Sequence, residues 1–525
     1  MPVTDATSHP VAEPLDPQVR SGLRWAATRQ IVTGLVGSVG AIAYTRFLQP
    51  QDLGNFGVAF LVYNGLYLLV QVPIRDAVVY YQDKEDVRSS AAFWLLLSGS
   101  IVAVILVMAL AGLLGQFYRS PLAASLTRGI VVAFFFQAVA VVPAGLLLKR
   151  FQFGIHEGLL MISQLILGVG WVALSAAGFG SWSLVIPILL SAIFWAATTW
   201  IATKFRPVLR PGRDAYGDII RFSRNLFGSK LIIYLDGNLD NAAVGTLGSS
   251  ALGWYSLGEN QAEYFGMVVG ATIAHVALPA MAAARSQIEK LRQIYLEMLR
   301  LAATLSLPMQ IGAIVLGDLG IVLLLGAQWL EAVSVLRAYL AMWLIRTVLE
   351  ISDAAISATG RPDIRFTVDL VQLPFFAAGV WFGLRVWGGI SGVAWSLVIV
   401  RIVAGVVYFT ATMRITQLTL GSVLRYLMPS SLAAALMGII VCALRNTGMI
   451  RKLTASAYPP ALGDALNVTT LILVGIVSYL LILYALDQSG FKAVATTTWQ
   501  IMLPESWRTR LLTIRGRFTR LNETN

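Results

Sequence analysis

The chain has 525 residues, 57% of them hydrophobic and only 13% charged, with Lys and Arg outnumbering Asp and Glu by 39 to 27. A soluble core of this size saturates and the surplus apolar surface would face water, so this composition excludes a soluble globular protein and points to a polytopic membrane protein. One cysteine, Cys442, and three scattered histidines exclude a disulfide framework and a Cys- or His-based metal cluster.

Residues 1–21 are polar and proline-rich without an apolar h-region, which predicts a disordered cytoplasmic tail and no cleavable signal. Fourteen apolar runs then follow, each about 20 residues, the length that crosses a hydrocarbon core of roughly 30 Å. The first six fall at 24–47, 54–73, 91–114, 129–148, 158–178 and 182–203, and the next six at 218–237, 252–281, 298–317, 333–352, 366–384 and 389–411. Two more lie at 426–444 and 465–486. Runs this long are helices, because every backbone group at membrane depth must be satisfied within its own segment.

Placing both termini in the cytoplasm puts 27 Lys and Arg residues inside or at the cytoplasmic helix ends, 7 outside or at the outer ends, and 5 deeper within helices. That asymmetry follows the positive-inside rule and accounts for the net charge of +12 without any nucleic-acid partner. An internal repeat divides the runs. Trp182-Ser183-Leu184-Val185-Ile186 recurs as Trp395-Ser396-Leu397-Val398-Ile399, while Leu48, Leu53, Gly54 and Phe56 recur as Leu247, Leu252, Gly253 and Tyr255. The expectation is an N-terminal six-helix lobe over 22–207 and a C-terminal one over 208–415, related by a pseudo-two-fold axis along the membrane normal. Helices 13 and 14, within 416–490, stand outside the repeat. In the cytoplasmic tail, 491–525, Trp507, Leu511, Ile514, Phe518 and Leu521 form one helical stripe flanked by arginines. Such a helix can lie on anionic membrane lipids or pack on the protein's own cytoplasmic loops.

The stretch 221–265 differs from the rest because its charges enter the apolar runs. An ionisable group at membrane depth costs roughly 2.5–3.5 kcal/mol on insertion scales and faces an interior cavity as a rule; a short interfacial loop is the alternative. Asn225, Ser229, Asp236 and Asp240 share a helix face provided Gly237 does not break it, and Glu259 and Glu263 are spaced i, i+4. Paired carboxylates in a low dielectric take up a proton or a cation, so these four acids are candidates for coupling to protons or sodium. Plain hydration at a helix end is the competing reading. Among the cations, Arg24, Arg29, Arg224, Lys230 and Arg401 are candidates for an anionic head group, which guanidinium forks bind bidentately. Arg24 can equally snorkel to the interface. Shifted by 199, Arg24 and Arg29 fall at 223 and 228, beside Arg224 and Lys230, so the cations come as one pair per lobe. Arg75–Asp76 is expected to be a local ion pair, and Arg346, Glu350 and Asp353 a self-neutralising stripe. No nucleophile–base set, phosphate-cradling loop or metal-ligand spacing is present, so a carrier is expected rather than an enzyme, with no cofactor beyond a coupling proton or sodium ion.

Several segments together resemble the Wzx-type polysaccharide flippases. They are RQIVTGLVGSVGAIAYTRFLQPQDLGNFGVAFLV (29–62), GLLLKRFQF (145–153), GFGSWSLV (178–185), RFSRNLFGSKLIIYLDGNLDNAAVGTLGSSALGWYSL (221–257), LLLGAQWLEAVSVLR (323–337) and ATGRPDI (358–364). The resemblance covers about residues 22–440 in order. It departs at Glu259-Asn260, where relatives carry Tyr-Arg, and at 72–82, where a glycine-rich turn is replaced. It implies the multidrug/oligosaccharidyl-lipid/polysaccharide exporter fold in the bacterial inner membrane. The implied task is flipping a polyprenyl-diphosphate-linked oligosaccharide outward by alternating access, with a polysaccharide polymerase and glycosyltransferases as partners. A cation-coupled drug or metabolite exporter, a peptidoglycan-precursor flippase and a non-transporting scaffold of a synthase complex remain open alternatives.

Overall fold

The computed structural model describes residues 39–81, 83, 85–489 and 491–492, together with positions 29, 33, 34, 36 and 37. Arg24 and the stripe at 507–521 lie outside them. Every apolar run from 54 onward falls on a helix, and the described residues form an all-α polytopic membrane protein. The described part of α1 ends at residue 47. It is followed by α2 (Pro50–Tyr80), α3 (Glu85–Phe117), α4 (Pro121–Lys149), α5 (Phe153–Ala176) and α6 (Trp182–Thr203). Next come α7 (Arg213–Val244), α8 (Ser249–Ala283), α9 (Ile288–Leu324), α10 (Ala332–Ala358), α11 (Pro362–Phe382) and α12 (Gly389–Thr416). The last three are α13 (Leu420–Thr447), the nine-residue α14 (Met449–Ala457) and α15 (Pro460–Leu486).

Eleven of the described helices are long and apolar enough to cross a membrane. α7 is not one of them. It runs unbroken through Gly237 for 32 residues, which rules out a loop over this stretch and places Asn225, Ser229, Asp236 and Asp240 on one helix.

Contacts divide the chain into two compact units, 1–256 and 257–525. In the first unit α4 is the central helix, packed by α2, α3 and α6. Its apolar window is 72% buried, against 17% for α3 and α5, whose outward faces are apolar. On α3, Ile101, Ile105, Leu106 and Leu113 point away from the protein, as a lipid-facing side requires. Ala59, Leu126, Ile130, Phe134, Val185 and Ile188 fill one core of this unit.

The repeated glycines meet each other. A Cβ on Gly54 would overlap the Ser249 carbonyl, and one on Gly253 would overlap the Pro50 carbonyl. Two helix starts therefore touch backbone to backbone, which only small residues permit. Asn55 Oδ1 reinforces the contact by accepting from Ser249 Oγ (2.6 Å) and Ser120 Oγ (2.7 Å). Asp52 accepts from the Gln49 backbone N–H and from Ser181 Oγ (2.9 Å), tying the start of α2 to the start of α6. At the other end of this unit, Arg88 reaches Asp218 (2.8 Å) and Asp83, while Glu85 receives Lys149 (3.5 Å) and Arg150 (2.7 Å). The start of α3 is thus ion-paired on one side with Asp218 of α7 and on the other with the end of α4.

In the second unit, one core joins α8, α9 and α10 through Ala277, Met281, Tyr295, Leu299, Ile351 and Ala355. Another packs α9 against α13 and α15 through Leu316, Ala434, Met437, Leu471 and Leu483. The stripe on α10 does not neutralise itself completely. Arg346 pairs with Glu350 at 3.5 Å, but Asp353 turns to Arg365 on α11 and to the hydroxyl of Tyr408 (2.8 Å) on α12.

Candidate functional site

The first unit encloses a cavity of about 420 Å³ among α2, α4, α5 and α6, all four of them membrane-crossing helices. Its shape begins in α2. Residues Tyr67–Gln71 form a π-helical segment, followed by Pro73. The wider turn, a device found at functional sites, keeps Tyr63, Tyr67, Gln71 and Arg75 along the cavity wall. Opposite them stand His156, Gln164 and Trp171 from α5 and Ser191 and Trp195 from α6, with Gln137 contributed by α4.

The polar groups here are only partly spoken for. Gln71 is 1% exposed; its amide nitrogen donates to the Phe134 carbonyl (3.1 Å), and its amide oxygen is buried without a hydrogen-bond partner among the described residues. Leaving such an acceptor unmet costs about 1–3 kcal/mol. Ser163 and Ser191 bond to each other across α5 and α6 (2.8 Å). The indole N–H of Trp171 donates to the Leu184 carbonyl (3.0 Å), which fixes the ring at the cavity wall.

At the end of the cavity marked by His156 lies an ion pair. Arg29 Nε donates to Glu157 Oε2 at 2.5 Å, and His156 Nδ1 lies 3.1 Å from Glu157 Oε1. Glu157 is 9% exposed, so its charge is held inside by these two partners, as a buried carboxylate requires. Arg75 forms the expected local pair with Asp76 (3.0 Å).

The structure distributes the sequence-derived candidates over both units. Arg29 is engaged with Glu157. Arg224 is exposed and Lys230 half-buried on α7, and neither has an ion-pair partner among the described residues. Asp236 lies partly buried on the same helix. Asp240 is buried and accepts from the Tyr255 hydroxyl (2.9 Å) and the Asn241 backbone N–H (2.8 Å), joining α7 to the start of α8. Glu259 and Glu263 are partly buried on α8. Arg401, in the second unit, lies over the Phe376 ring at 5.5 Å from its centroid. Sequence reasoning missed Glu157 and the amide and aromatic lining. The adjacent His156-Glu157 pair at the start of an apolar run was the signal available for the first.

A family model described as a polysaccharide biosynthesis protein matches residues 43–334, more than half of the chain. The chain belongs to that family. Among relatives of this polysaccharide biosynthesis protein, the lipopolysaccharide biosynthesis protein WzxC of Escherichia coli (strain K12) is 24% identical over 395 residues, covering 73% of this chain and 78% of the relative. The Wzx-type resemblance is therefore borne out. A solved structure of the lipid II flippase MurJ in an inward closed conformation aligns with a TM-score of 0.70 at 14% identity, covering 87% of this chain and 98% of MurJ. An inward-facing multidrug resistance MATE transporter of the MOP superfamily aligns at 0.55 with 18% identity, covering 75% and 98% respectively. The fold expected from sequence is the fold of this superfamily.

Proposed function

We propose that the protein is a flippase that carries a polyprenyl-diphosphate-linked oligosaccharide from the cytoplasmic to the outer leaflet of the bacterial inner membrane by alternating access. In this reading both termini are cytoplasmic, and the repeat lobes 22–207 and 208–415 are the units that alternate. The observation that carries it is the pair Arg224 and Lys230: two cations on α7, without carboxylate partners among the described residues, in a polysaccharide biosynthesis protein. Lys and Arg both suit a diphosphate, whose oxygens accept charge-assisted hydrogen bonds. The lipid tail needs no protein pocket, because it can stay in the bilayer. Asp236, Asp240, Glu259 and Glu263 are the candidates for a coupling proton or sodium ion. A polymerase and glycosyltransferases are the partners such a step implies.

Deleting the gene tests the reading. The expected result is loss of surface polysaccharide with the lipid-linked unit accumulating on the cytoplasmic side; normal polymer would overturn it. Complementation with Arg224→Ala/Lys230→Ala should fail while the protein remains in the membrane, whereas a scaffold would tolerate both changes.

A further inference from the structure

The diphosphate reading leaves the cavity of the first unit without an occupant, and its chemistry differs from that of the cations on α7. Among the described residues that line it there is no Asp or Glu. Asp76 and Glu157, the carboxylates next in the chain to the lining residues Arg75 and His156, are paired with Arg75 and with Arg29. A metal ion or an organic cation would find no counter-charge. An anion would find a guanidinium already paired and an imidazole facing Glu157 and the Trp195 ring. What remains is a neutral surface of amides, hydroxyls and aromatic faces. Each amide offers an acceptor and two donors, the same mixed set that sugar hydroxyls present. Aromatic rings carry a negative face that receives the C–H side of a pyranose ring. The volume is within the range of ligand pockets, about 300–1,000 Å³.

We propose that this cavity is a carbohydrate subsite that takes a sugar ring, with Trp171 and Trp195 as stacking faces. The amides of Gln137 and Gln164, which keep accessible surface at the cavity wall, exchange hydrogen bonds with the sugar hydroxyls. The assignment rests on the flippase reading for its substrate class: the ring belongs to the saccharide end of the lipid-linked unit, while the diphosphate is held elsewhere.

The test uses the full-length chain with Cys442→Ser, so that Leu160→Cys, at a lining position with no hydrogen-bonding part in the subsite, supplies the sole thiol. Maleimide labelling of the purified protein in nanodiscs is followed while two probes are titrated: the saccharide repeat released by acid from the host strain's surface polysaccharide, and inorganic pyrophosphate. The saccharide should slow labelling saturably and pyrophosphate should not. Adding Gln137→Leu, which keeps the side chain's bulk, should raise the half-protecting saccharide concentration about tenfold, the loss of the hydrogen bonding of one amide. Calorimetric titration of the unmodified chain with the same saccharide provides a second readout in case the introduced thiol is unreactive. No protection and no heat at saturating saccharide, or protection by pyrophosphate alone, overturns the subsite. Accumulated lipid-linked saccharide in the deletion strain together with an unprotected cavity sinks the subsite alone. Normal polymer in that strain together with a protected cavity sinks the flippase reading alone.

Discussion

At the 213-residue offset that relates Trp182–Ile186 to Trp395–Ile399, three of the residues that α5 and α6 give to the first unit's cavity have charged or phenolic counterparts in the second. His156 corresponds to Asp369, Ile188 to Arg401 and Trp195 to Tyr408. Where the first unit leaves neutral amides and rings around open space, the second builds a network. Arg365 pairs with Asp353 and with Asp369 (3.6 Å), Tyr408 donates to Asp353 (2.8 Å), and Arg401 lies on the Phe376 ring. Phe376 is itself the counterpart of Ser163. The repeat therefore conserves how helices pack and not what they enclose. A small number of side-chain exchanges at matched positions replaces a lining of amides and rings with a set of paired charges.

Where the repeats are alike, the effect of breaking them should be largest. Gly54→Ala and Gly253→Ala each drive a Cβ into a facing backbone carbonyl, which cannot move aside as a side chain can. Each should lower stability by about 3 kcal/mol or more, seen as aggregation or loss of the monodisperse peak in size-exclusion chromatography. Exchanging the matched residues comes next. Ile188→Arg places the second unit's cation in a cavity without a carboxylate, and should cost about 3 kcal/mol on insertion scales. A lower melting temperature in detergent and loss of saccharide protection would both report it; unchanged protection would show that the two sites differ less than their residues suggest. Glu157→Ala leaves Arg29 uncompensated. Because the Arg29 side chain is 26% exposed, the expected loss is about 2 kcal/mol, below that of a fully buried pair. The double change with Arg29→Ala should regain part of the melting temperature. The smallest effect belongs to Asp353→Asn, which weakens one ion pair and one hydrogen bond at a partly exposed carboxylate. A change of about 1 kcal/mol is expected, with saccharide protection of the first unit unaltered.

Much of the frame was legible in the sequence because membrane helices declare themselves by length and composition. The runs and the short-range pairs Arg75–Asp76 and Arg346–Glu350 all depend on residues near each other in the chain, whereas the continuity of α7 through Gly237 stayed conditional until the structure showed it. What escaped depends on distance. Arg29 and Glu157 are 128 residues apart, and nothing local marks them as partners. Asp353 left its expected stripe because Arg365 and Tyr408 arrive from other helices. The cavity was invisible for another reason: Gln, Ser, Tyr and Trp are ordinary residues in membrane helices, and only packing shows that ten or so of them surround the same space. α14, at nine residues, is too short to stand out as an apolar run.

The π-helical segment Tyr67–Gln71 has a consequence for how this wall tolerates insertion and deletion. It holds one more residue than an α-helical turn would, so the helix on either side of it is out of phase by one position. Deleting a single residue there would let the turn become α-helical with the phase kept, whereas regularising its hydrogen bonding with every residue in place would turn everything from Val72 to Tyr80 by about 100° relative to Pro50–Leu66. Arg75 would leave the cavity, and Ala77 and Val78 would leave the core they now fill. The irregular turn is thus a phase-setting element: the local geometry would improve without it, and the alignment of the two halves of α2 would be lost.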